Sequence, residues 1–232
     1  MNRTLLICMP LIAAACSPVV QTTSGSDYLA DTGRSKILDP EIARAANIEP
    51  QLRFPARIGV ARIVNARLTS PGSKEADKFA DFAARNARFG EFIPVSPLVA
   101  AFAAPESARE TAQTIRIAAA RQHLDYVLVY EVGARSNTTD TPFALADATI
   151  IGGAFLPTRQ IAVTGIGQAI LLDVRNGYPY GTAMQTVDLS GYGRTFAAER
   201  HASSLRDDAI QHVTEALIPE VEAMFKELET AL

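Results

Sequence analysis

The sequence predicts an α+β (or α/β) domain: a single sheet of about five strands with a late antiparallel hairpin, helices packed on the sheet, and a long C-terminal helix. Three observations carry this expectation. Apolar runs rich in β-branched residues at 57–65 and 126–132 are separated by stretches with helical spacing. Two long β-like runs flank the dipeptide Asn176-Gly177. Residues 198–232 place Leu205, Val213, Leu217, Met224 and Leu228 on roughly one stripe.

The chain begins MNRTLLICMPLIAAACSP. Arg3, an apolar core from Leu5 to Ile12 and the small residues Ala13, Ala14 and Ala15 follow the order of a secretory signal. The run is too short to cross a bilayer, which needs about 20 apolar residues. It ends on Cys16. The stretch LIAAACS resembles the bacterial lipobox, with Ala13 where that pattern usually has Leu. The resemblance implies cleavage before Cys16 and acylation of its sulfur. A thiolate is the nucleophile such a step needs, and two or three acyl chains hold a protein where one binds only reversibly. Ser17 follows instead of Asp, which by resemblance to Gram-negative lipoproteins implies the periplasmic face of the outer membrane.

Residues 1–15 are thus expected to form a signal peptide, 16–52 a lipidated cysteine and flexible tether, and 53–232 a globular periplasmic domain. The tether is rich in Ser, Thr, Gly, Asp and Ala, with one short helix expected near Pro40. The two cysteines are Cys8, inside the signal, and Cys16. A disulfide framework, a thiolate metal site and a cysteine nucleophile are therefore excluded from the mature domain.

The domain starts at RFPARIGVARIV, a buried strand over 57–65. SPGSKEAD turns into a helix with Ser73 as candidate cap and Ala76, Phe79, Phe82 and Ala83 on one face. Phe92, Ile93 and Val95 make a short strand closed by Pro97. The next helix starts near Pro105 and Glu106, places Ala108, Ala112, Ile115 and Ala119 at helical spacing, and ends near His123. Tyr126 to Val132 read as a strand buried on both faces. Residues 136–157 read as a loop with a short helix, or as a mobile apolar flap. Asn176-Gly177 predicts a two-residue hairpin turn, and Pro219 a kink in the final helix.

The strand PARIGVARI, a helix feeding DYVLVYEV, and ILLDVRNGYPYG before a closing amphipathic helix resemble the superfamily that includes the curli-secretion lipoprotein CsgG, the amino-terminal domain of TolB and the penicillin-binding-protein activator LpoB. The likeness covers most of residues 55–230. It implies an envelope protein that works by binding or assembling. The channel-forming member has long amphipathic segments that build a membrane barrel; here residues 143–157 offer at most one weakly alternating stretch.

Chemistry-bearing motifs are sparse, and no catalytic residue, cofactor site or metal site is predicted. The net charge of −3 comes without a basic stripe, so nucleic acid has no electrostatic footing. Trp is absent, which counts against sugar binding. His123, His201 and His212 form no HExxH or close pair. No G-x-S-x-G occurs, and Gly165-Ile166-Gly167 reads as a bulge or close-packing point within a strand. Asp173 and Arg175 flank the hairpin as a structural pair, and Asn137-Thr138-Thr139 reads as a loop. Tyr178, Tyr180 and Tyr192 cluster around the hairpin, where exposure would make them a partner surface and burial part of the core.

The sequence therefore supports a membrane-tethered, non-enzymatic binding or assembly factor in envelope biogenesis, secretion or cell-wall synthesis, attached to the membrane through acyl chains on Cys16 and serving an envelope protein partner. Two alternatives stand beside it. A periplasmic hydrolase would bring acids such as Asp125, Glu131 or Asp173 together in the fold, and a ring-forming secretion component would be a large oligomer.

Overall fold

The computed structural model describes residues 18–32, 40–100, 108–141, 159–193 and 197–232. Its architecture is α+β. Strand β2 (Ala56–Val64) is the β-branched run expected over 57–65. It pairs in parallel with β4 (Gly90–Pro94) on one side and with β5 (Tyr126–Asp140) on the other. Parallel neighbours need crossover connections. These are supplied by α3 (Ser73–Arg85) before β4, and by α4 (Pro97–Ala100) and α5 (Ala108–Arg121) before β5.

The second half is antiparallel: β5 pairs with β6 (Arg159–Asp173), and β6 with β7 (Pro179–Gly193). The chain then closes with α6 (Ala198–Thr230). A two-residue β1 (Val19–Val20) joins the outer edge of β7, and β3 (Arg67–Thr69) folds back on β2. Among the described residues the sheet thus has seven strands in the order β1-β7-β6-β5-β2-β3, with β4 beside β2. About five were expected. The extra two are the short β1 and β3, whose few residues leave no periodic signature.

Both faces of the sheet are covered in part. On one, α3 and α6 pack over Ile58, Tyr126, Leu128, Tyr130 and Leu171. Phe225 of α6 is the hub, its ring centroid 5.2 Å from Phe89, 5.6 Å from Phe92, 6.0 Å from Phe54 and 6.1 Å from Phe82. On the other face, Ile115, Ala118 and Ala119 of α5 and Ala100 of α4 meet Val127 and Val129. Residues 126–130 are consequently buried from both sides, the reason that stretch is continuously apolar or aromatic.

Several local expectations need correction. Gly72, not Ser73, occupies the cap position of α3, no side chain bonds there, and Ser73 is the first helical residue. Asn137, Thr138 and Thr139 lie on β5, not in a loop; residues 135–140 are exposed, so no apolar alternation marks them as strand. Residues 142–157 of the expected flap, and Pro105 and Glu106, lie outside the described residues. The hairpin turn is longer than two residues. Of Asn176 and Gly177 only Gly177 has a positive φ, at 78°, and residues 174–178 link the strands. The Asp173 carboxylate explains this, because its Oδ1 accepts from the amides of Arg175 (2.8 Å) and Asn176 (3.3 Å) and so organises a wider loop.

Gly165 and Gly167 are close-packing points. A Cβ on Gly165 would stand 2.8 Å from the Ala209 carbonyl oxygen, and one on Gly167 would stand 3.2 Å from Val213 Cγ2. These two positions let α6 settle onto β6. The irregularity in the β6–β7 ladder falls elsewhere, between Leu171 and Leu172. α6 itself is one helix through Pro219, burying Val213, Leu217, Met224 and Leu228 as the stripe predicts.

Candidate functional site: the N-terminal edge of the sheet

Cys16 lies outside the described residues, but the chain just after it is fastened to the sheet. Val19 and Val20 pair with Thr182 and Gly181 of β7. The Gln21 amide donates to the Tyr180 carbonyl at 2.8 Å, and Gln21 Nε2 donates to the Pro179 carbonyl at 2.9 Å. Further on, α1 (Gly25–Thr32) rests its first amides on Glu49: Ser26 N donates to Oε1 at 2.9 Å and Gly25 N to Oε2 at 3.3 Å. Those bonds hold the Glu49 carboxyl below its ordinary range, the Ser26 amide contributing most and the Ser24 hydroxyl next. The expected helix near Pro40 is α2 (Pro40–Ala46).

The hairpin tyrosines do the fastening. Tyr178 donates its hydroxyl to the Thr23 carbonyl at 3.0 Å. Tyr180 accepts from the Gln51 amide at 2.8 Å and donates to Asp173 Oδ2 at 3.1 Å. Tyr126 donates to the Gln51 carbonyl and accepts from the Arg53 amide, both at 2.9 Å. Asn176 Nδ2 reaches the Glu49 carbonyl at 3.1 Å. The three rings pack against one another, Tyr126 edge-to-face on Tyr180 at 5.5 Å and Tyr178 tilted against Tyr180 at 5.0 Å. Burial raises all three hydroxyls above the ordinary phenol range, so they stay protonated.

Two expectations change as a result. Tyr178 and Tyr180 are buried, so Tyr178, Tyr180 and Tyr192 do not form one exposed patch; Tyr192 is 66 % exposed and stands alone among them. The stretch 16–52 is not a free tether throughout its described part, since β1 and residues 47–52 are bound to the domain and Leu52 is 6 % exposed in its core. Composition hides this: the partners are backbone groups and phenolic hydroxyls, which do not require an apolar sequence opposite them. Tyr126 was the fastener that sequence reasoning missed, its signal submerged in an apolar strand.

Beside this edge, on the face away from α6, a trough of about 610 Å³ crosses five strands. It runs from Val19 on β1 past Met184, Ile170 and Val129 to Ile63 on β2, with Gln168 and Glu131 as polar members. Strand register puts these side chains on one face, since Val19 faces Thr182, Thr182 faces Ile170 and Met184 faces Gln168.

The ionisable candidates do not converge. Asp125 Oδ2 accepts from the Arg57 amide at 2.9 Å. Asp173 is fully buried and spent on Tyr180, on the hairpin amides and on Arg175, whose Nη2 lies 3.5 Å from Oδ2. That carboxylate holds the Arg175 guanidinium more firmly protonated. Glu131 is exposed on the trough wall. His123, His201 and His212 are each exposed, and His123 turns the chain after α5 with φ 58°. Among the described residues no group of His, Cys, Asp and Glu could hold a metal ion. No described helix is long and apolar enough to cross a membrane.

No family model matches the chain, and no curated protein matches it. Solved structures show distant likenesses. The PelC dodecamer from Paraburkholderia phytofirmans is 18 % identical, over 75 % of this chain and 90 % of that one, with a TM-score of 0.33. The LpoB C-terminal domain from Salmonella enterica is 15 % identical, over 57 % of this chain and 82 % of that one, at 0.30. A hypothetical protein from Chlamydia trachomatis is 15 % identical, over 76 % and 100 %, at 0.32.

Proposed function

We propose that the protein is a lipoprotein held to a membrane through Cys16, facing the periplasm from the outer membrane, and that it acts as a non-enzymatic binding or assembly factor in the cell envelope. The observation that carries this reading is the N-terminal order of Arg3, apolar core, three alanines and Cys16. The sheet edge supports it, because the polypeptide is secured to the domain three residues after that cysteine. The non-enzymatic part draws on the tasks of Asp125 and Asp173, which cap an amide and brace a hairpin. An acid or base for catalysis needs a free proton site aimed at a substrate.

Metabolic labelling with an alkyne fatty acid tests the anchor. The wild-type chain is expected to carry the label at Cys16 and to sediment with membranes; Cys16→Ser is expected to lose both and accumulate uncleaved. An unlabelled wild-type chain overturns the reading. Photo-crosslinking in intact envelopes from Arg200 and Asp207, exposed on α6, tests the partner. A discrete crosslinked protein is expected, and its absence from these and other exposed helix positions counts against a binding role.

A further inference from the structure

The orientation of the domain on its membrane is also written in the sheet edge. Only Ser17 and Pro18 separate Cys16 from Val19, which is paired to Thr182. At about 3.6 Å of reach per residue, three residues span about 11 Å at most. A free coil over residues 17–52 would instead let the domain wander about 33 Å from its anchor. The lipid-bearing residue is therefore tied to one edge of one sheet, and the surface around that edge meets the bilayer first.

That surface has suitable chemistry. Val19 is 68 % exposed and Met184 is 47 % exposed, on the face away from α6, with the apolar trough opening beside them. The same face of β7 continues through Thr186, Asp188 and Ser190 to Tyr192, and the adjoining face of β6 carries Gln168, Ile166, Thr164, Ala162 and Gln160. Asp188 is the single charged residue at these alternating positions of the two strands, and its Oδ1 accepts from the Thr164 hydroxyl at 2.6 Å. The outward side of α6, across the sheet, presents exposed Glu199, Arg200, Asp207 and Asp208. No described element packs on the β6–β7 face beyond the reach of α5.

We propose that the bilayer receiving the acyl chains of Cys16 lies against this nearly uncharged β6–β7 face, with Val19 and Met184 at the headgroup layer beside the anchor and Tyr192 as a second contact. The proposal rests on the lipoprotein reading. Apolar side chains gain by leaving water there, a tyrosine suits the membrane interface, and the charged side of α6 is left to the aqueous space.

The test uses a convenience of the sequence. Cys8 leaves with the signal and an acylated Cys16 is inert to thiol reagents, so an introduced cysteine is the sole labelling site. Met184→Cys, Tyr192→Cys and, on the outward side of α6, Asp208→Cys would each be labelled with a fluorophore. The full lipidated chain is then reconstituted into phosphatidylethanolamine–phosphatidylglycerol vesicles containing headgroup-nitroxide lipid. Positions 184 and 192 are expected to be quenched several-fold more than 208. Equal quenching at all three, or strongest quenching at 208, overturns the proposal. Thr186→Cys samples the same face should Met184→Cys fold poorly, as judged by its melting curve. Flotation with the vesicles and the mass of the N-terminal peptide separate the two failures: a chain that neither floats nor carries acyl mass sinks the lipoprotein reading and this one together, whereas an acylated, floating chain with an unquenched position 184 sinks the orientation alone.

Discussion

Tyr180 donates its hydroxyl hydrogen to Asp173 Oδ2 across 3.1 Å, and both side chains are fully buried. The same oxygen of Tyr180 accepts the Gln51 amide, so a single phenol joins the hairpin carboxylate to the N-terminal strap, the stretch bound to the domain through β1 and residues 47–52. Replacing Tyr180 with Phe keeps the ring but leaves the Gln51 amide without its acceptor and Asp173 Oδ2 without its hydroxyl donor. The expected loss is about 1–3 kcal/mol, the usual penalty of leaving a buried polar group unsatisfied. Urea titration of the variant reads it directly. The Gln51 amide should also exchange with solvent faster than the neighbouring core amides, an effect that simple cavity formation in the core does not give.

Glu75, Arg62 and Tyr130 form a second polar cluster under α3. Arg62 Nε lies 2.7 Å from Glu75 Oε2, with side chains 17 % and 12 % exposed, and the Tyr130 hydroxyl is 3.2 Å from the same oxygen. Arg62 Nε–H makes no aligned hydrogen bond there, so the contact is an ion pair. Burial, with Glu75 adding to it, pushes the Tyr130 hydroxyl far above the phenol range. Glu75→Gln leaves a mostly desolvated guanidinium without its counter-charge, and after discounting for residual exposure it should cost about 2–3 kcal/mol. The double variant Arg62→Met with Glu75→Leu should recover most of that loss in the same denaturation assay.

Gly165 decides how closely α6 approaches the sheet. A methyl at this position would meet the backbone of Ala209, which cannot rotate away as a side chain can. Gly165→Ala should therefore destabilise by about 1–3 kcal/mol through overpacking, despite alanine's smaller conformational entropy in the unfolded chain. Gly133, whose added Cβ would meet nothing within 4 Å, is the control position and should accept Ala with little change. Thermal melts of the pair distinguish a packing contact from a general intolerance of substitution in long strands.

These contacts also show where the sequence was transparent. The strands at 57–65 and 126–132 and the stripe of the last helix could be read because burial itself generates the pattern, two-sided for the strands and one-sided for the helix. The outer half of β5 could not, since residues 135–140 face water and owe their strand conformation to pairing with β6. The hairpin position was legible from Asn176-Gly177. Its length depended on a carboxylate three residues earlier capturing amides, which no dipeptide rule contains. The strap was hidden for a related reason. Its partners are tyrosine hydroxyls 129 and 155 positions away, and a polar segment paired this way has the composition of a linker. Tyr178 and Tyr180 do cluster, but they are buried and hold this chain's own N-terminal segment.

The strap carries its own response to acid. Glu49 sits in solvent yet accepts the first amides of α1, and these bonds favour its ionised form. Its folded value thus lies below the ordinary 4.5, and the folded state binds fewer protons than the unfolded state through that range. The stabilisation is therefore fully present above about pH 4.5 and is lost as the pH falls through the lowered folded value. Acidification should loosen the contact between α1 and residues 47–49 while the buried tyrosine contacts, with no carboxyl in the Tyr178–Thr23 or Tyr126–Gln51 bonds, persist. Amide exchange of Gly25 and Ser26, followed by NMR from pH 6 to about pH 3 and compared with Arg53, whose amide donates to the Tyr126 hydroxyl, should show earlier release of the first pair. Glu49→Gln should remove the pH dependence of that release by making the contact weak throughout. If Gly25 and Ser26 keep the same protection down the whole acid range, the Glu49 carboxylate is not what holds α1 in place.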